Sequence, residues 1–302
     1  MWQCGRNEID FSILEHCQVP GRPFVVEGSA RTTISQKCKD ADTTFADSWH
    51  TDVTLAIKPN NSLNQELGRR WLEQAEGEHA SVASFARNTL QLLTLGSPSE
   101  LLIASKQAGI DEINHAKISY DIASANTGLK LAPGPLDVQE SLKKLELMSV
   151  IRSIIQEGCV GETLAAIEAR VRGHGTDDPY IKKSLLQITE EETNHAQLAW
   201  DTIDWVVGKN PDLLSFAENV LDDELEHQRV NEQEISSSVE ELACVDPNED
   251  MSLQKHGFLT QENAEKVRKV GIRDIILPAH QNRFENVGLI SKNMKNLDLN
   301  QF

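Results

Sequence analysis

Thiols, aromatic rings and long apolar runs are all scarce in this 302-residue chain, and each shortage removes a class of function. The five cysteines (Cys4, Cys17, Cys38, Cys159 and Cys244) are scattered and odd in number. With no Cys-x-x-Cys pair there is no zinc ribbon, rubredoxin-type iron site or redox dithiol to build. A reduced, cytoplasmic setting is therefore the expectation. No apolar stretch approaches the roughly 20 residues of a membrane-spanning helix, so no membrane span is expected. The opening MWQCGRNEIDFS has neither the basic nor the apolar region of a secretory signal. Positive charge is short too: 29 Lys and Arg stand against 47 Asp and Glu, a formal net charge of −18. Such a chain repels polyanions, so neither nucleic acid nor an anionic membrane is an expected partner. Arg69-Arg70 and Lys143-Lys144 are too short to reverse that field.

What is present is helix. Apolar residues make up 39% of the chain, enough for a sizeable core. Residues 1–60 mix turn formers with short β-leaning pieces such as RPFVVEG and RTTIS, and read as an irregular arm. From Ser62, which with Gln65 has the form of a capping box, a helix is expected to about Leu95. GSPSE, with Ser97 as N-cap, starts a second helix to about Ala125. The Pro- and Gly-rich GLKLAPGPLDVQE (128–140) cannot be regular helix. A third helix is expected over 141–172, and a fourth from Asp178-Pro179 to about Val207. Asn210-Pro211 opens a fifth, and a shorter helix falls around 271–285. The four long helices would each measure about 40–50 Å, and the long connection can stretch about 43 Å. A crossover of that reach lets the second and third helices of a bundle run parallel.

Within these helices one phrase occurs twice. DEINHAKISYD (111–121) and EETNHAQLAWD (191–201) align without a gap, matching Glu112 with Glu192, His115 with His195 and Asp121 with Asp201. Residues three apart on a helix share a face, so each copy presents a carboxylate and an imidazole to one point. On the fourth helix that face continues through Leu185, Ile188, Ala199 and Thr202. A carboxylate on a buried stripe must be neutralised, shift its pKa or unfold the protein. Two metal ions meet that need, and the known bundle arrangement adds one Glu from each remaining helix. GEHASVASFAR (77–87) and GETLAAIEAR (161–170) supply Glu78 and Glu162 in matching words. Four carboxylates and two neutral imidazoles carry −4, which two divalent ions cancel. Asp111 and Glu191, each just before a ligand Glu, are expected to accept the second N–H of His195 and His115 respectively.

Blander readings compete. Glu-x-x-His occurs four times, where about one occurrence is expected by chance, so a single match means little and the duplication carries the weight. Glu224/His227 lies in the charged DDELEHQRV and reads as a solvated face. Glu76/His79 offers an alternative to Glu78. Glu78 is favoured because it matches Glu162 and shares a stripe with Trp71, Val82, Phe85 and Leu92; His79 then becomes a hydrogen-bonding residue near the site. Glu157, five residues before Glu162, points elsewhere on an α-helix but stays open as a replacement. Tyr120, Trp200 and Trp205 read as packing, and Cys159 as a small buried residue.

The order Glu, Glu-x-x-His, Glu, Glu-x-x-His resembles the ferritin-like superfamily in its non-haem two-metal branch, which includes rubrerythrins, bacterioferritins, ribonucleotide reductase small subunits and di-iron oxygenases. EHASVASFAR, DEINHA, GCVGETLAA, EEETNHAQLAW and the C-terminal IRDIILPA more closely resemble a group of bacterial ferritin-like domain proteins. The resemblance covers roughly 62–207. It implies an all-α, ferritin-like four-helix bundle with one long crossover over 61–208, preceded by the arm and followed by C-terminal helices over 209–302. It also implies two iron ions, with manganese or an Fe/Mn pair as alternatives.

Hard oxygen and imidazole donors suit Fe²⁺ or Mn²⁺, and six protein ligands leave both ions open positions. The leading expectation is an oxidase or oxygenase that activates dioxygen toward a small organic substrate, with an external electron donor and room for a homodimer. The rivals are a ferroxidase or iron-binding protein, a peroxide-consuming enzyme such as a manganese catalase, and a purely structural bundle. The same fold hosts all of these. A transfer-RNA substrate fits poorly, because two divalent ions would only raise −18 to −14.

Overall fold

The computed structural model describes residues 23–37, 43–51, 55, 62–143, 146–242, 252–281 and 289–299. The described chain is overwhelmingly helical, with a few two-residue strands, so its class is all-α. Strands β1 (Val25–Val26), β2 (Ser29–Ala30) and β3 (Gln36–Lys37) are followed by α1 (Thr43–Ser48), α2 (Ser62–Leu95), α3 (Ser99–Thr127) and β4 (Leu131–Ala132). Then come α4 (Leu147–Ser153), a π-helical stretch (Ile154–Glu162), α5 (Thr163–Gly175) and α6 (Pro179–Lys209). Helix α7 (Leu214–Leu242), α8 (Gln261–Val270), a second π stretch (Gly271–Ile276), α9 (Leu277–Gln281) and α10 (Leu289–Asn296) complete the order. The chain divides into two compact units, residues 1–87 with 106–143, and residues 88–105 with 144–302.

In the first unit α2 and α3 pack antiparallel. Asn64 Nδ2 donates to Asn126 Oδ1 at one end (3.1 Å), and a side chain on Gly109 would touch Phe85 Cβ (3.5 Å) toward the other. The helices come closest at Gly68, where a Cβ would stand 2.5 Å from Thr127 Cγ2. The arm is laid against this pair. Strands β1 and β2 form a hairpin whose two central residues, Glu27 (φ 53°) and Gly28 (φ 83°), take the left-handed conformation of a type I′ turn. Phe24 and Val26 pack on Ala80, and Arg87 clasps the hairpin by stacking over Phe24 (5.1 Å) and donating to the Val25 carbonyl (2.5 Å). Strand β3 pairs antiparallel with β4, joining the arm to the Pro-rich connection.

In the second unit α2 ends at Gly96 (φ 66°), where Ser97 N–H donates to the Leu92 carbonyl (3.1 Å), the six-to-one bond of a Schellman cap. Ser97 thus closes α2 instead of capping α3, its Oγ makes no cap bond, and α3 starts two residues later than expected at Ser99. Asp178 does cap α6, accepting from Tyr180 N–H (2.8 Å) and Ile181 N–H (3.0 Å), with Pro179 in the first turn. The expected third helix is corrected in two respects: it begins at Leu147, and its middle is π-wound. The core runs along Ile151, Ile154, Ile155, Ile167, Trp200 and Ile203, and α7 through α10 add Val220, Leu221, Val267 and Ile276 to it. Arg172, 3% exposed, ties α5 to the following segment by donating to the Gly257 carbonyl (2.6 Å) and stacking over Phe258 (5.2 Å).

Gly68→Ala would gain about 1 kcal/mol of helix propensity yet force the Thr127 methyl aside, at a cost of about 1–3 kcal/mol. The expected net result in urea melts is destabilisation. Adding Thr127→Ser, which deletes the opposing Cγ2, should recover most of it, and a double-mutant cycle with no coupling would contradict this contact.

Candidate metal centre

Each unit holds one buried triad. In the first, α2 carries Glu78 and α3 carries Glu112 and His115, with exposures of 2%, 0% and 0%. His115 Nδ1 lies 3.6 Å from Glu112 Oε2 and 4.0 Å from Glu78 Oε2. In the second unit Glu162 ends the first π stretch, and α6 carries Glu192 and His195, with exposures of 0%, 2% and 2%. His195 Nδ1 lies 3.3 Å from Glu192 Oε2. In both triads each residue offers a donor atom within 4.8 Å of the others. Donors on opposite sides of a first-row divalent ion, each about 2.1 Å away, stand about 4.2 Å apart. The triads are therefore a few tenths of an ångström from closing on an ion, and their oxygen and imidazole donors suit one.

The stripes that present these groups are buried as the helical spacing requires. Trp71, Phe85 and Leu92 share a face with Glu78; Ile151, Ile155, Ala166 and Ala169 accompany Glu162; Leu185, Ile188, Ala199 and Thr202 accompany Glu192 and His195. Around the ligands a row of glutamines steadies the acids from one turn earlier on the same helix. Gln74 Nε2 donates to Glu78 Oε1 (3.1 Å), Gln107 to Asp111 (2.8 Å) and Gln187 to Glu191 (3.1 Å). The last two extend the internal repeat by four residues, a signal present in the sequence as Gln-x-x-x-acid-Glu-x-x-His but overlooked above.

Other acids fall elsewhere. Glu76 accepts from Ser35 N–H (2.9 Å), and Ser35 Oγ pairs with the Tyr120 hydroxyl (2.9 Å). Burial raises the pKa of Glu76, and burial likewise pushes the Tyr120 phenol up. Glu157 is buried at 6%, and the ground for turning it away from Glu162 needs correcting. On an α-helix residues five apart diverge by about 140°, whereas in a π-helix bonded from i to i+5 they come nearly into line. Glu224 is also corrected: it is buried at 9% and accepts from Gln156 (2.9 Å) and Gln228 (2.8 Å), while His227 is exposed. Tyr120, Trp200 and Cys159 are buried.

His79 Nδ1 has no hydrogen-bond partner, and the ring meets Trp49 edge-on at 5.1 Å. On the same side of this unit, Asp121 accepts from His50 Nδ1 (2.8 Å) and from Thr51 N–H (3.0 Å), while His50 Nε2 faces the Leu131 carbonyl (2.9 Å). Three pieces of the arm thus grip α2 and α3 around the outside of the first triad: Ser35, Trp49 and His50-Thr51.

No protein-family model matches the chain, and neither the curated proteins nor the solved structures compared with it give a match.

Burial lowers the pKa of His79 from 6.5 to about 4. An unfolded chain takes up this proton near pH 6.5 and the folded chain only near 4, so stability falls as pH drops through that window. In metal-free protein the loss should be at most about 3 kcal/mol. His79→Gln should flatten the pH dependence of the denaturation midpoint over this range; an unchanged slope would assign the effect to other groups.

Proposed function

We propose that the two triads are halves of one two-metal centre in a ferritin-like four-helix bundle, and that the chain is a di-iron oxidase or oxygenase activating dioxygen toward a small organic substrate. The observation that carries this reading is the duplicated burial: two Glu-x-x-His pairs, each joined by a further Glu, all at 2% exposure or less. Isolated buried carboxylates cost several kcal/mol each, and a chain that keeps four of them in two matched sets has a use for cations. Glu78, Glu112 and His115 would hold mainly one ion, and Glu162, Glu192 and His195 the other. When bound, an iron pair supplies two electrons to dioxygen. Gln74 fixes the orientation of Glu78. Asp111 and Glu191 are assigned, within the same proposal, to the distal ring nitrogens of His195 and His115, where they would set the tautomer that leaves the other nitrogen free to bind metal.

Anaerobic loading with Fe²⁺ should give two ions per chain and raise the melting temperature by several degrees, as expected for ligands held well above their dissociation constants. Glu112→Ala and Glu192→Ala should each weaken uptake more than roughly 100-fold, beyond the effect typical of residues that only support a ligand. After exposure to oxygen, a coupled ferric pair gives no paramagnetic resonance signal at low temperature. Two isolated high-spin ferric signals would mean separate sites and would sink the shared centre. Substrate-dependent oxygen consumption would fix the oxygenase reading, whereas Fe²⁺ oxidation with no such dependence would replace it with a ferroxidase.

A further inference from the structure

Buried hydroxyls on these helices follow a rule with one telling exception. Ser81, Thr163, Thr189, Thr193 and Thr202 each donate to the carbonyl four residues earlier, at 2.7–3.2 Å. Ser119 does not. It is 0% exposed, and its Oγ has no hydrogen-bond partner. Leaving a buried hydroxyl unmade costs roughly 1–3 kcal/mol, so a hydroxyl retained there points to a partner from outside the protein.

Its place says which partner. Ser119 follows Glu112 and His115 at the 3-4 spacing of one helix face, and side chains on a helix lean toward its N-terminus, which carries Oγ back over the His115 turn. Across the antiparallel pair, Glu78 meets His115, so Gln74, one turn earlier, comes level with Ser119. The first triad is thus bordered by a polar level. The repeat lacks it: the positions matching Gln74 and Ser119 are Gly158 and Ala199. The two triads share ligands but differ in what surrounds an open coordination position.

We infer that Ser119 is a ligand-binding residue of the centre, hydrogen-bonding a small oxygen- or nitrogen-bearing ligand on the ion of the Glu78–Glu112–His115 triad, and that the second triad takes no such ligand through a hydroxyl. The inference rests on the metal reading above and deepens it by making the halves unequal.

The test uses the full chain loaded with Co²⁺, a redox-silent stand-in, with metal content measured first and azide then titrated by the cobalt absorption bands. Wild type and Ser119→Ala should hold the same cobalt, and azide affinity should fall about tenfold in the variant, the loss of one hydrogen bond to a charged ligand. Ala199→Ser should leave azide affinity within about twofold. Metal-free Ser119→Ala should melt no lower than wild type, because the hydroxyl it deletes had no partner to lose. Unchanged azide affinity at full cobalt loading, or a lowered melting temperature of the metal-free variant, overturns this inference alone. A wild-type chain that takes up no cobalt overturns the metal reading and the inference together.

Discussion

Ionisable groups held out of water constrain the rest of this chain. Glu112, His115 and Glu162 are fully buried, and Glu78, Glu192 and His195 nearly so. To hold a carboxylate there, a helix must be long enough for several turns of apolar side chains on either side of it. Trp71, Phe85 and Leu92 do this on α2, and Leu185, Ile188 and Ala199 on α6. The glutamines one turn before Glu78, Asp111 and Glu191 serve the same end, each adding a donor to an acid that has lost part of its hydration.

The two units reach this end with different supports. In the first, a segment of low regularity does the covering: Ser35 on Glu76 and Tyr120, Trp49 on His79, His50 and Thr51 on Asp121. In the second, helices from the C-terminal third complete an apolar core around Ile155, Ile167 and Trp200. Asp201, the repeat partner of Asp121, has Gln197 (2.7 Å) in place of a histidine, and burial holds its pKa above the usual carboxylate range. The internal repeat is therefore confined to the ligand-bearing faces, and the outer faces differ.

Much of this was legible in the sequence wherever chemistry and period coincide. Asp178-Pro179 marked a helix start, and the cap is made there. Gly and Pro marked the end of α3 and a connection that is not helical. Glu78 and Glu162 were found by matching words, and each lies with its own Glu-x-x-His pair. The arm's contacts were not legible, since residues 23–51 carry no period and their contacts reach partners 41 to 85 positions away. The π winding was hidden for a different reason: Ile154, Ile155 and Val160 would be buried in either helix type, so the apolar pattern does not separate them. Ser97 misled because it satisfies the composition of an N-cap while its backbone is already committed to closing α2.

The π stretch over Ile154–Glu162 also governs what the gene can tolerate there. Loops absorb the loss of a codon by shortening. Here, a codon lost upstream of Glu162 would rotate the following residues by about 100° about the helix axis, swinging Ala166 and Ala169 away from the interior and bringing charged neighbours such as Glu168 toward it. Length in this segment is held by angular register, so an in-frame deletion acts like many simultaneous core substitutions.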